Sequence, residues 1–245
     1  MKAFFRWSAT LTLCVFALSA CKPSGAPSAT TSAGKAASAS APSVQASFSG
    51  QYDILSVPQA TTPGNKVEVL EFFAYFCSYC KLFDPSLTAW AKKNRGKVVF
   101  KRVPVAFRDS MFAQQRMYYA LEAMGKLESL HPRIFKAIQE ERQSLDTESE
   151  IVTYLAKQGV DTARFKALYN SPAIQDKANQ ATALQSAYQI NSIPQIAIGG
   201  RYLTSGTHAL KRPGIEMTET GVQNAVLSIM DELVVKTASE GSLKK

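Results

Sequence analysis

Beyond residue 50 the chain alternates between short runs that are apolar at almost every position and longer stretches in which apolar residues recur every three or four positions. The run VEVLEFFAYF, residues 67–76, is apolar or aromatic at all but two positions, which suits a strand buried on both faces. It leads directly into Cys77-Ser78-Tyr79-Cys80. Beyond it, Cys80, Phe83, Leu87 and Trp90 recur at helical spacing, which predicts a helix that begins at the cysteines. Cys80 then faces inward and Cys77 is left at the helix N-terminus. Asn94-Arg95-Gly96 ends this helix, and KVVFKRVPV, residues 97–105, predicts a second strand closing a β-α-β unit. Pro85 cannot donate to the carbonyl of Lys81, so a kink is expected in the first helix.

The middle of the chain has helical periodicity. Asp109 or Ser110 can cap a helix running to about Met124, and a second is expected from Pro132 to about Arg142. Asp146-Thr147 open a third, with Ile151, Tyr154 and Leu155 on one face, and Asp161 caps a short fourth carrying Phe165, Leu168 and Tyr169. A fifth begins at Pro172 and carries Ile174, Ala178, Ala181 and Tyr188. These stripes are read as core. Strand character returns at residues 195–198, followed by Gly199-Gly200 and then Arg201-Tyr202-Leu203, a hairpin with a two-glycine turn. A last amphipathic helix is expected over roughly residues 219–235, with Val222, Val226, Ile229 and Leu233 on one face. The order is β-α-β, helical insertion, β-β-α, without internal repeat.

The first 48 residues follow a different pattern. Lys2 and Arg6 precede an apolar stretch over residues 9–20, too short to span a bilayer but suited to the core of a secretory signal. It ends in Leu18-Ser19-Ala20-Cys21, which resembles the lipobox of bacterial lipoproteins and implies a lipidated Cys21 at the mature N-terminus. Several acyl chains would hold the protein on a membrane without crossing it. Residues 22–48 are almost entirely Ser, Ala, Thr, Pro and Gly, a composition that cannot bury enough apolar surface to order itself. This is a tether, so residues 1–20 are expected as signal, 21–48 as lipidated cysteine and tether, 49–240 as the folded domain with its insertion at about 108–188, and 241–245 as a tail.

Composition adds little to this and excludes much. With 46% hydrophobic and 19% charged residues, the 245-residue chain falls in the globular range. The formal charge of +9 falls to +7 once Lys2 and Arg6 leave with the signal, and the basic residues are dispersed. No basic cluster is interleaved with aromatics, so no nucleic-acid partner is expected.

Cysteine usage carries the chemistry. Of the four cysteines, Cys14 belongs to the signal and Cys21 to the anchor, which leaves the mature domain with Cys77 and Cys80 alone. A disulfide closing so short a loop stabilises little. A metal site would need further soft ligands, and His131 and His208 are the only histidines, so no metal or cofactor is expected. Redox catalysis is the favoured reading in a compartment where thiols are oxidised. A helix N-terminus stabilises thiolate, which suits Cys77 as attacking sulfur, while Cys80 one turn inside would resolve the mixed disulfide. Glu71 lies in a strand too apolar to welcome a carboxylate; a buried acid there would have a raised pKa and could exchange a proton with Cys80. The alternative is a carboxylate tip reaching solvent at a sheet edge. Asn191-Ser192-Ile193-Pro194 precedes the hairpin, where a proline marks an edge or strand start.

VLEFFAYFCSYC, followed more than a hundred residues later by SIPQIAIGGRYL, resembles the thioredoxin superfamily and within it the DsbA family of periplasmic oxidases, over roughly residues 50–235. The resemblance implies an α/β thioredoxin fold, a mixed central sheet flanked by helices with an inserted all-helical subdomain. It also implies Cys77 as nucleophile, Cys80 as resolving thiol, Glu71 as buried proton acceptor, and Pro194 as a cis-proline packed against the cysteines. The Ile193 backbone would pair with a substrate strand, and Ser78 and Tyr79 would face the substrate. Reduced exported proteins are the implied substrates of a periplasmic monomer, with a DsbB-like, quinone-linked membrane oxidase as the partner that restores the disulfide. Ser78-Tyr79 stands where DsbA oxidases typically carry Pro-His, replacing a chargeable group by a hydroxyl. The Lys81 and Pro85 positions look more like thioredoxin. A reductase or isomerase, and a non-catalytic copper carrier or adapter built on the same Cys-x-x-Cys, are the competing readings.

Overall fold

Among the described residues, five strands form one mixed sheet in the order β1 (Asp53–Ile54), β5 (Tyr202–Thr204), β4 (Gln195–Ile198), β2 (Val67–Phe73) and β3 (Val98–Pro104). The computed structural model describes residues 50–242; Cys14, Cys21, the signal, the whole tether of residues 22–48 and residues 243–245 of the tail lie outside the described residues. β2 is buried at all seven positions, Glu68 and Glu71 included, as its largely apolar run predicts for a strand covered on both faces. Its side chains divide by period two. Val67 and Val69 pack with Phe83, Leu87 and Trp90 and with the C-terminal helix, whereas Leu70 and Phe72 pack on the opposite face with Ala181, Tyr188 and Leu203.

β2, α1 (Ser78–Asn94) and β3 make the expected parallel β-α-β unit. α1 runs as one continuous element through Pro85. The insertion is helical throughout: α2 (Met111–Ala123), α3 (Leu127–Gln139), α4 (Glu148–Lys157), α5 (Thr162–Tyr169) and α6 (Pro172–Ala187). Then come the β4–β5 hairpin, the short α7 (Gly206–Ala209) and α8 (Glu219–Ser242). In the hairpin turn Gly199 and Gly200 both have positive φ, +59° and +68°, a conformation that strains residues with a Cβ. Among the described residues no helix is long and apolar enough to cross a membrane.

Several boundaries differ from the pattern-based reading. α3 begins five residues before Pro132, because its buried stripe includes Leu130 and His131 and the proline sits on the exposed side of an early turn. It ends at Gln139, and Arg142 and Leu145 beyond it take positive φ. α8 continues past Val235 to Ser242, where polar contacts replace apolar periodicity: Glu240 accepts a hydrogen bond from the Tyr202 hydroxyl at 2.7 Å. β1 and α7 are not signalled by periodicity, each spanning only about one repeat of its pattern.

The helix starts are set by local chemistry. Thr147 and Glu150 form a reciprocal capping box on α4, and Asp161 accepts from the N–H groups of Ala163 and Arg164 at the start of α5. We predict that Thr147→Ala destabilises the domain by about 1 kcal/mol in urea unfolding, the usual cost of losing an N-cap. Disulfide exchange should be unaffected.

Candidate active site

The Cys-x-x-Cys lies where the C-terminal end of β2 turns into α1. Cys77 N–H donates to the Ala74 carbonyl at 3.0 Å, which closes the turn between strand and helix. Cys77 is the N-cap, in extended conformation, and its Sγ accepts the N–H of Cys80 at 3.1 Å. A sulfur thus occupies the place where a Ser, Thr or Asp oxygen usually caps a helix. The first turn of α1 contains no acidic residue, so no carboxylate within that turn opposes the positive end of the helix dipole at this sulfur. Cys77 and Cys80 are joined as a disulfide with Cα atoms 5.2 Å apart. Cys77 is 7% exposed and Cys80 fully buried, so an incoming thiol can approach only the first sulfur.

Ser78 and Tyr79 are both exposed, Tyr79 at 70%. The second sequence motif arrives through strand pairing. β4 runs antiparallel to β2 with Gln195 opposite Phe72, so the start of β4 lies beside the end of β2. The Ile193–Pro194 peptide is cis, and the Ile193 carbonyl oxygen lies 3.7 Å from Cys77 Sγ. A groove of about 570 Å³ opens next to this junction, lined by Tyr79, Phe83, Ile193, Pro194, Leu210 and Met217 among others.

Glu71 is 1% exposed, which removes the alternative of a solvent-reaching tip. Its partner is Arg102, directly opposite in the β2–β3 register, whose Nε donates to the Glu71 carboxylate at 2.9 Å. Arg102 Nη2 also donates to Asp84 at 2.6 Å and to the Thr88 hydroxyl at 2.7 Å. Asp84 lies one helical turn beyond Cys80. His131 Nε2 approaches the same Asp84 oxygen at 3.4 Å, and its Nδ1 lies 2.8 Å from the buried Tyr75 hydroxyl. These contacts form a chain, Glu71–Arg102–Asp84–His131–Tyr75, from β2 through α1 into the insertion.

The protonation states follow from burial and partners. Desolvation pushes the Glu71 carboxyl up to about 7 although the Arg102 charge pulls it down. Burial also opposes ionisation of Asp84, but its bonds from His131 and Thr88 and the Arg102 charge outweigh it and hold the carboxyl below its usual value. Burial drives the His131 imidazole down. A neutral imidazole that donates from Nε2 to Asp84 and accepts at Nδ1 from the Tyr75 phenol satisfies both contacts. Sequence reasoning identified Glu71 and missed Arg102, Asp84 and His131. Asp84 carried a usable signal, four residues after Cys80 on the same helix face. Arg102 became legible only with the register. Among the described residues, no cluster of His, Cys, Asp and Glu is arranged to hold a metal ion.

A sequence family described as a DSBA-like thioredoxin domain matches residues 68–212. The chain is 38% identical over 185 residues to the thiol:disulfide interchange protein DsbA of Burkholderia cepacia, covering 75% of this chain and 87% of that protein. It is 39% identical over 165 residues to the protein of the same name from Bordetella pertussis, covering 67% and 78%. Among solved structures, Pseudomonas aeruginosa DsbA superposes with a TM-score of 0.70 at 31% identity, covering 80% of this chain and 95% of that one. The oxidoreductase NmDsbA3 of Neisseria meningitidis superposes with a TM-score of 0.66 at 28% identity, covering 78% and 96%.

The raised Glu71 pKa makes a signed prediction. The folded protein holds the Glu71 proton more tightly than the unfolded chain, so stability contributed by that proton is present below the ordinary value of 4.5 and is lost as pH rises to about 7. In denaturant titrations of the oxidised protein, wild type should lose stability relative to Glu71→Gln across that window and change no further above it. A pH-independent difference would show that Glu71 does not titrate there.

Proposed function

This chain belongs to the DSBA-like thioredoxin domain family and is a protein thiol:disulfide oxidoreductase, and we propose that it works in the oxidising direction, donating the Cys77–Cys80 disulfide to reduced exported proteins. The observation that carries this reading is the Cys77 sulfur seated as the N-cap of α1, where the released sulfur can hold negative charge. Stabilising the released thiolate makes the disulfide a better electron acceptor.

A substrate thiolate attacks Cys77 Sγ, the S–S bond breaks, and Cys80 leaves as thiolate and takes up a proton. The mixed disulfide then joins Cys77 to the substrate. A second substrate thiolate attacks the substrate sulfur of that bond and releases Cys77 as thiolate. The substrate has lost two electrons and two protons, and the Cys77–Cys80 pair has gained the electrons. Glu71 is the group that exchanges a proton with Cys80, directly or through water, and its value near neutrality suits both directions of transfer. The Ile193 backbone pairs with an extended substrate segment, with Pro194, Ser78 and Tyr79 flanking it. Such backbone pairing accepts varied sequences, as a general oxidase of folding proteins requires. A DsbB-like, quinone-linked membrane oxidase restores the disulfide.

The location is periplasmic, with the domain held to a membrane through lipid on Cys21 and the tether of residues 22–48. Changing Cys21 to Ser should move the protein from the membrane fraction to the soluble periplasmic fraction; an unchanged distribution would exclude the lipid anchor.

Cys77→Ser should abolish disulfide transfer to a reduced, unfolded test protein, and retention of transfer would reject the assignment. Cys80→Ser should accumulate mixed disulfides that dithiothreitol releases. In glutathione buffers the dithiol should be the more stable form; a more stable disulfide, with Cys77 titrating as an ordinary thiol near 8.5, would reverse the direction to reduction.

A further inference from the structure

α3 presents a single stripe to the turn that carries the cysteines. His131, Phe135 and Gln139 stand four residues apart, so they line one helix face. All three meet Tyr75, two residues before Cys77. His131 Nδ1 lies 2.8 Å from its hydroxyl, the Phe135 ring packs against its ring at 5.0 Å between centroids, and Gln139 Nε2 donates to its backbone carbonyl at 2.8 Å. The same Gln139 nitrogen donates to the carbonyl of Cys77 at 3.0 Å. Because both partners are carbonyl oxygens, the orientation of the amide is determined: the NH2 group must face the turn. The Cys77 carbonyl also accepts the N–H of Lys81 at 3.2 Å, the first turn of α1. One side chain from the insertion therefore ties the end of the β2 segment to the start of α1, across the residue whose sulfur caps that helix.

We propose that Gln139 is a positioning residue for the redox pair, holding the Tyr75 and Cys77 carbonyls so that the dithiol form, with Cys77 as thiolate, is favoured relative to the disulfide. The physical reason is a difference between the two forms. In the disulfide the Cys77 sulfur is neutral and gains little from nearby dipoles. In the dithiol it is the negative group of the site, and two carbonyl oxygens on the same turn oppose that charge. The Gln139 N–H groups offset their negative ends and keep the turn in the geometry that aims the Cys80 N–H at the sulfur. The insertion thus contributes to the chemistry while Gln139 itself touches neither sulfur.

The inference rests on the reading of Cys77 as the attacking sulfur, and the experiment separates the two. Purified wild type, Q139L and Q139E are equilibrated with reduced and oxidised glutathione, where two electrons and two protons pass from the dithiol to oxidised glutathione as the protein disulfide forms. Cys77 is titrated by thiolate absorbance, and thermal unfolding is recorded for both redox forms. Q139L removes the polar atoms and ends one bond short of the amide, and Q139E keeps the length while its ionised carboxylate offers no donor. Gln139 is half-buried at the last position of α3, where either change should leave the domain folded. We expect both variants to shift the equilibrium toward the protein disulfide by roughly tenfold, with a higher Cys77 pKa and the larger effect in Q139E. A purely structural role would lower the unfolding temperature of both forms alike and leave the equilibrium within about twofold of wild type, which would overturn the proposal. A shift toward the dithiol, or failure of both variants to fold, would overturn it as well. If wild-type Cys77 itself titrates as an ordinary thiol and Cys77→Ser still transfers disulfides, the functional reading fails. If wild-type Cys77 is activated and the Gln139 variants match it, only this inference fails.

Discussion

The functional end of this molecule depends on a helix that begins on sulfur. The first turn of any helix leaves backbone N–H groups without helical partners and carries the positive end of the dipole. Here the Cys77 sulfur takes up one of those groups, at 3.1 Å from the Cys80 nitrogen. Negative charge on sulfur is thus favoured by the backbone alone, before any side chain contributes. The neighbouring elements fix this arrangement. β2 sets where α1 starts, β4 brings the Ile193 carbonyl to 3.7 Å from the sulfur, and α3 braces the turn from the insertion side.

Behind the sulfur, the fold holds a group of buried charges whose signs do not cancel. Glu71 and Asp84 share one guanidinium, that of Arg102, and His131 is pushed toward its neutral form by burial. Burying charges is costly unless they are well paired, so one of the two carboxyls must carry the imbalance. Asp84 receives bonds from Arg102, His131 and Thr88, whereas Glu71 is bonded by Arg102. The better-solvated carboxyl stays ionised and the other is raised to about 7. Glu71 is therefore the member of the group whose proton can leave and return near neutral pH, a property of the whole set and not of its strand position alone.

Most of the fold could be read along the chain because its elements obey local rules. The apolar run of β2, the spacing of Cys80, Phe83, Leu87 and Trp90, and the caps at Thr147 and Asp161 each express a periodicity or a short-range hydrogen bond. The same holds for the cysteines, whose neighbours in sequence are also their neighbours at the helix start. Where local rules were weak, boundaries moved: α3 passes through Pro132, and α8 extends on polar contacts that carry no apolar period.

The amino-acid sequence by itself determined the β-α-β unit, the helical insertion, the redox pair and the identity of Glu71 as a misplaced acid. Tertiary structure decided what surrounds them. Arg102 meets Glu71 because parallel strands pair in one register, Ile193 meets Cys77 because β4 runs antiparallel to β2, and Gln139 meets the cysteine turn because a helix from the insertion packs across it. None of these contacts lies within one turn or one strand of its partner in sequence. Hydrophobic periodicity specifies which face of an element is buried, while the register and packing that choose its partners emerge only when the faces close on one another.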